Sequence, residues 1–305
     1  MENATADLPA RITRVWKSAD GRELKADLLE FSATEIKIKR AKDFEIMKVP
    51  LKTFSEEDQK YVLKLVRERD LDASLKSGPY AAGMKGSFVK LTSKEGLNYQ
   101  LYGNPKWDGK KRYPLLITLH GSGQSGSDNE KQMGGVTGIF TDAAHQSPNP
   151  CFMIAPQCPD SQIGWNKEPA DQLMKLIDDL SEHLPVDVNR IYLTGYSMGG
   201  FGCFNLAAKY PTKFAAVVPL AGGGDPKKAD VLKQTPIWAF HGDKDEMVPV
   251  ERTRDVMKAI VDAGGTSAKY DELAGQGHGI PGVVYSREDL TKWIFAQVRK
   301  EQAAP

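Results

Sequence analysis

The stretch Ile191-Tyr192-Leu193-Thr194-Gly195-Tyr196-Ser197-Met198-Gly199-Gly200 decides how this 305-residue chain is read. Arg190 to Thr194 is a short apolar run of the kind that forms a buried strand, and from Ser197 to Tyr210 the apolar positions recur at helical spacing. Between them stands G-x-S-x-G, a tight strand-to-helix turn that holds a serine hydroxyl out at the C-terminal edge of a sheet. Glycines at 195 and 199 suit such a turn, because β-carbons there would collide as strand and helix close on each other. The first N–H of the helix, at Met198, then points at any negative charge developing beside Ser197. The bland alternative is a glycine-rich connection without chemistry, so the partners along the chain decide.

A serine nucleophile needs a base, and in the α/β-hydrolase fold the chain order is Ser, then Asp or Glu, then His. Of the five histidines only His241 and His278 follow Ser197. His241 leaves too little chain for an acid and a further strand to precede it. His278, in Ala274-Gly275-Gln276-Gly277-His278-Gly279, follows a strand ending near Leu273 and can reach over Ser197; the competing role is a surface-packed loop histidine. The acid is expected after the strand Pro236 to Phe240, where HGDKDEMVP offers Asp243, Asp245 and Glu246. A turn residue or a solvated helix-start carboxylate is the ordinary role for each of these. The second oxyanion donor is expected after the strand Tyr113 to Leu119, in His120-Gly121-Ser122-Gly123-Gln124, and is assigned to the Ser122 N–H, with Gln124 as a substrate contact and His120 structural.

Composition bounds the function. With 41 basic and 40 acidic residues the net charge is +1, so no field attracts nucleic acid or an anionic membrane, and neither partner is expected. Cys151, Cys158 and Cys203 have neither metal-ligand nor redox spacing. No apolar run is long enough to span a bilayer. Met1 to Arg11 is polar, which fits a cytoplasmic protein or one whose export signal has been removed; in the second case an extracellular or periplasmic place is expected.

The chain reads as two domains and a linker. Short alternating runs at Arg11 to Trp16, Glu23 to Phe31, Thr34 to Lys39 and Phe44 to Pro50 predict a small antiparallel barrel, followed by a helix capped by Ser55 and ending near Arg69, so that the first domain covers 9–69. Ser77-Gly78-Pro79, Gly83 and Gly86 give 70–90 linker character. Over 91–301, strands at Tyr113 to Leu119, Cys151 to Ala155, Arg190 to Thr194, Ala215 to Leu220, Pro236 to Phe240 and Ala268 to Leu273 alternate with helices at Glu168 to Leu184, Ser197 to Tyr210, Val250 to Ala263 and Ser286 to Val298. Such alternation predicts a mostly parallel sheet covered on both faces. Too few residues separate Leu220 from Pro236 for a cap domain, so an open site is expected.

Two resemblances add to this. RVWKSADGRELKADLLEF, IKIKR and VPLKTFSEEDQKYV resemble the SH3-like homology domain of endocytic adaptor proteins, which implies a module that binds a peptide or a glycan, with a structural or surface-tethering role as the alternative. PLLITLHGSG, GSDNEKQ, MIAPQCP with Trp165 following, VNRIYLTGYSMGGFGCFNLAAKYP, FAAVVPLAGGGDP and PIWAFHGDKDEMVPVERTR resemble α/β hydrolases of the predicted peptidase, phospholipase/carboxylesterase and feruloyl-esterase-like group. That resemblance implies Ser197, Asp245 and His278 as the catalytic set, and selects Asp245 through the HG-x-x-D-x-x-VP loop. Related chains often follow the histidine with a polar residue and a tryptophan; here Gly279-Ile280-Pro281-Gly282 follows. Trp165 is read either as substrate-facing or as a core tryptophan, and Asp128-Asn129-Glu130 as a turn rather than a cation site.

The expected activity is serine carboxylic-ester hydrolysis on small or polymer-linked esters of the acetyl or feruloyl type, without metal or organic cofactor. A serine peptidase of the same fold and a non-catalytic binding protein are the alternatives.

Overall fold

The computed structural model describes residues 12–134 and 137–299 of the chain. The polar start Met1 to Arg11, the first-domain bound at 9 and the second-domain bound at 301 lie outside the described residues. The chain divides into two units, Met1–Ala73 and Ser74–Pro305.

In the first unit β1 (Ile12–Lys17), β2 (Glu23–Phe31), β3 (Glu35–Arg40) and β4 (Ile46–Pro50) form an antiparallel meander in the order β1-β2-β3-β4. One face closes over Trp16, Ala26, Leu28, Ile36, Ile38, Leu51, Phe54 and Val62, with the Trp16 and Phe54 rings 5.5 Å apart. A register shift between Leu28 and Glu30 bends β2. Of the expected barrel, the described residues give this four-stranded sheet. At the end of β1 its edge meets the segment that follows β4: Ser18 bridges Phe54 antiparallel, the Ser55 N–H donates to the Lys17 carbonyl at 2.7 Å and the Ala19 N–H to the Thr53 carbonyl at 2.9 Å.

Helix α1 (Glu56–Ser77) opens as expected at Ser55, whose Oγ accepts the Asp58 N–H at 3.3 Å. It does not stop near Arg69. Residues 70–77, read as linker, are helical, because Leu71 and Leu75, four residues apart, give the extra turns a buried stripe.

The second unit is built on an eight-stranded sheet in the order β12-β11-β10-β9-β7-β8-β6-β5. The strands are β5 (Val89–Thr92), β6 (Asn98–Tyr102), β7 (Tyr113–Leu119), β8 (Phe152–Pro156), β9 (Val186–Tyr196), β10 (Ala216–Leu220), β11 (Ile237–Gly242) and β12 (Ala268–Leu273). From β8 to β12 across the sheet all neighbours pair parallel, while β6 and β5 add antiparallel at the other end. The helices are α2 (Ala143–Gln146), α3 (Lys167–His183), α4 (Met198–Lys209), α5 (Ala229–Leu232), α6 (Glu251–Asp262), α7 (Pro281–Tyr285) and α8 (Glu288–Ala296).

Every residue of β7, β8, β10 and β11 is buried, the pattern of strands covered on both faces. Leu115, Ile117 and Leu119 pack into one core with α3, α4 and α6, and Leu116 packs into the other with Tyr285 and with Leu290 and Ile294 of α8. Between β10 and β11 stand only a short 3-10 turn and α5, with no inserted domain. Among the described residues no helix is long and apolar enough to cross a membrane, and the three cysteines are free and buried.

Candidate active site

At the end of β9 the chain turns sharply into α4, and Ser197 in the turn has φ 56° and ψ −117°. A positive φ on a non-glycine residue costs about 1–3 kcal/mol and persists only where the surroundings enforce it. Here they do. The Ser197 N–H donates to the Leu220 carbonyl of β10 at 2.9 Å. A β-carbon on Gly195 would lie 2.5 Å from the Gly199 carbonyl oxygen, and one on Gly199 would lie 2.1 Å from that of Leu119. Only glycine fits either position.

Two loops converge on the serine hydroxyl. His278, carried beyond β12, brings Nε2 to 3.0 Å from Ser197 Oγ, and its Nδ1 lies 2.7 Å from Oδ2 of Asp245, in the turn after β11. The Asp245 side chain has no exposed surface, and that of His278 keeps 12 %. Burial pushes the Asp245 carboxyl up, but the Val248 N–H, the His278 N–H and the Met247 N–H outweigh it and hold the group below the usual aspartate range. Both backbone donors reach Oδ1 at 2.9 Å. The Tyr196 ring lies 4.9 Å from the His278 ring, and its phenol is pushed up by burial and by the neighbouring Asp245 charge.

Of the three acids offered by the sequence, the structure brings only Asp245 to His278. Asp243 Oδ1 accepts the Gly275 N–H at 2.6 Å and so laces the acid loop to the histidine loop, while Glu246 is exposed. A residue set aside as a base proves to be a neighbour: His241, with no exposed surface, places Nε2 3.1 Å from the same Asp245 Oδ2. The signal in the sequence was a histidine four residues before the acid, but only the turn at Gly242 brings the two together.

The loop after β7 stands against the serine, since a β-carbon on Gly121 would lie 3.5 Å from Ser197 Cβ. Ser122 opens a 3-10 turn and Met198 opens α4, so their N–H groups are among those left without acceptors inside their own helical turn. Gln124 braces this loop from within: its Oε1 accepts the Gly121 N–H at 3.2 Å and its Nε2 donates to the Lys131 carbonyl at 3.0 Å. Asp128 forms the expected turn, accepting the Glu130 and Lys131 N–H groups at 2.9 and 3.0 Å. The Lys131, Gln157 and Glu130 donors hold its carboxyl well below the ordinary range.

His120 is a neutral structural imidazole. Its Nδ1–H donates to the Gly121 carbonyl at 2.7 Å, its Nε2 accepts the Cys158 N–H at 2.8 Å, and burial lowers its pKa. Trp165 is 1 % exposed, donates Nε1–H to the His120 carbonyl at 3.3 Å and stands edge-on to the His120 ring. The structure thus places it beneath the site, and it also forms part of the wall of the cleft beside Ser122 and Met198.

Two clefts adjoin these residues. One of about 280 Å³ is lined by Ser122, Met198, Ser161, Asn166, Phe201 and Asn205. The other, of about 240 Å³, has Leu119, Gln124, Tyr196, Pro281 and Tyr285 in its wall. On α3, Asp179, Glu182 and His183 gather potential metal ligands within 4.8 Å of one another, but Asp179 already receives Lys94 Nζ and the Tyr80 hydroxyl.

Residues 161–280, which include Ser197, Asp245 and His278, match the dienelactone hydrolase family. Feruloyl esterase B of Piromyces equi is 30% identical over 156 residues, 46% of this chain and 27% of that protein. A bifunctional acetylxylan esterase/xylanase of Neocallimastix patriciarum is 23% identical over 148 residues, 48% of this chain and 21% of that protein. The chain spans less than half the length of these curated relatives. Among solved structures, a thermostable esterase is 30% identical with a TM-score of 0.65, over 72% of this chain and 64% of that one. A feruloyl esterase module from Clostridium thermocellum, 14% identical, has a TM-score of 0.53 over 72% of this chain and 90% of that one, a likeness of fold. The second unit therefore carries the α/β-hydrolase fold, and part of the chain is similar to esterases.

Proposed function

We propose that this protein is a serine carboxylic-ester hydrolase with Ser197 as nucleophile, His278 as base and Asp245 as the acid that orients the base. The observation that carries the reading is the continuous line from Ser197 Oγ through His278, at 3.0 Å, to Asp245 Oδ2, at 2.7 Å. His278 Nε2 takes the hydroxyl proton as Oγ attacks the ester carbonyl. The Met198 and Ser122 N–H groups receive the oxyanion, and the imidazolium returns the proton to the leaving alcohol. Water then repeats the sequence on the acyl enzyme, so the protein ends unchanged.

The substrate class follows from the clefts and from the relatives' names. The cleft beside Ser122 and Met198 offers uncharged hydroxyls and amides with two aromatic side chains, Trp165 and Phe201, suited to a polyhydroxyl alcohol portion, and the cleft beside Tyr196 and Pro281 offers an apolar wall for a short or aryl acyl group. We infer acetyl-type or feruloyl-type esters, small or polymer-linked. For the first unit we propose an accessory role in binding a peptide or glycan, supported by the resemblance of its sequence alone.

The test is Ser197→Ala on a panel of acetyl, butyryl and hydroxycinnamoyl esters, with fluorophosphonate labelling of the parent protein. Turnover should fall by roughly three orders of magnitude or more. Near-parental hydrolysis in that variant, or no labelling at Ser197, would refute the reading.

A further inference from the structure

We propose that His241 is a positioning residue for Asp245, locking the carboxylate that orients His278; the inference rests on the ester-hydrolase reading above. The Nε2 atom of His241 lies 3.1 Å from Asp245 Oδ2 and 3.0 Å from the Val248 carbonyl oxygen. Both neighbours accept, so Nε2 carries a hydrogen and donates. Asp245 Oδ2 is thus shared between two imidazoles, His278 on one side and His241 on the other, while Oδ1 takes the Met247 and Val248 N–H groups. Four donors fix the carboxylate plane. Without the Nε2–H of His241, the oxygen that aims His278 is held by the His278 contact alone.

The other side of His241 gives this arrangement its reach. Nδ1 lies 2.8 Å from Thr253 Oγ1 on α6, and Thr253 Oγ1 lies 2.9 Å from the Gly222 carbonyl oxygen. Gly222 abuts the start of α4, where a β-carbon on it would fall 2.5 Å from the Gly200 carbonyl carbon. The contacts therefore run from the helix that begins at the nucleophile, through Thr253 and His241, to the acid. The side chains of His241 and Asp245 have no exposed surface, so water does not stand in for the missing donor.

The experiment compares His241→Leu, His241→Gln and Thr253→Val in the full chain, measuring kcat and KM on p-nitrophenyl butyrate, fluorophosphonate labelling rate and Tm. His241→Leu should lower kcat roughly 10- to 100-fold with KM within about twofold, the scale expected of a misaimed base. His241→Gln, whose amide N–H groups reach Asp245 and Val248, should recover kcat to within about fivefold of the parent while its Tm falls as far as that of the leucine variant. The labelling rate should follow kcat. A folded His241→Leu protein with parental kcat overturns the inference, as does a kcat that tracks Tm alike in both substitutions. If His241→Leu does not fold, Thr253→Val decides: a several-fold fall in kcat at unchanged KM supports the assignment and an unchanged kcat overturns it. Parental Ser197-dependent turnover separates the two failures. Where it is present and insensitive to these variants, only the inference falls; where it is absent, the reading beneath it falls too.

Discussion

Replacing Asp245 by Asn tests the site more sharply than deleting it, because the amide has the same shape and turns one acceptor into a donor. Asp245 Oδ1 faces two backbone N–H groups at 2.9 Å, so turning the new NH2 toward them would leave donors facing donors at a cost of about 1–3 kcal/mol for each. The amide oxygen therefore keeps the Oδ1 position and the NH2 turns toward His278, whose Nδ1 sat 2.7 Å from Oδ2, and toward His241, whose Nε2–H keeps the Val248 carbonyl as its acceptor. Nδ1 of His278 must then accept, which moves the imidazole hydrogen to Nε2, against Ser197 Oγ. The base becomes a donor. A wrong-tautomer triad loses on the order of 10⁴-fold in kcat, which is about 5.4 kcal/mol at 1.36 kcal/mol per decade. The assay is steady-state hydrolysis of p-nitrophenyl butyrate, with Asp243→Asn as companion, since Asp243 holds the Gly275 N–H rather than His278. The companion should lose no more than a few-fold. An Asp245→Asn protein within tenfold of the parent, or a larger loss in the Asp243 variant, would refute the reasoning.

Gly199→Ala should destabilise the fold by about 3 kcal/mol or lower kcat by roughly 10²-fold, because its β-carbon would stand 2.1 Å from the Leu119 carbonyl oxygen and backbone must move; parental Tm and kcat together would contradict this. Trp165→Phe removes the bond to the His120 carbonyl and should lower Tm by a few degrees with KM unchanged. A tenfold rise in KM at constant Tm would return Trp165 to a substrate-facing role. Asp128 and Asp245 titrate below the ordinary aspartate value of 3.8 when folded, so their contribution to stability is complete above that value and is lost as pH falls through the lower folded values. Thermal unfolding should be flat above about pH 5 and decline below about pH 4, and a Tm unchanged down to pH 2 would contradict it.

Where chemistry and periodicity spoke together, the sequence was legible. The parallel strands β7, β8, β10 and β11 were readable because each is a bounded apolar run, and the serine turn because glycine at 195 and 199 answers a steric demand. The antiparallel strands β5 and β6 escaped: β5 alternates over only four residues, too few to stand out, and Tyr99 to Tyr102 in β6 are all buried, so β6 presents no alternating face. The end of α1 was obscured by Asp70, Asp72, Ser74 and Ser77, which signal a loop locally, while the buried Leu71 and Leu75 carry the helix on. His241 was hidden for a different reason. Its relation to Asp245 depends on a turn, and spacing alone does not say which way a buried ring faces.

Ser197 occupies a backbone conformation that glycine adopts without penalty. The most comfortable residue for this turn is therefore one that cannot attack anything, and Ser197→Gly should raise thermal stability while abolishing turnover. Under selection for robustness alone, this position would drift to glycine. On the proposed reading, a serine kept there marks where demand on the molecule as a reagent overrides demand on it as a folded object.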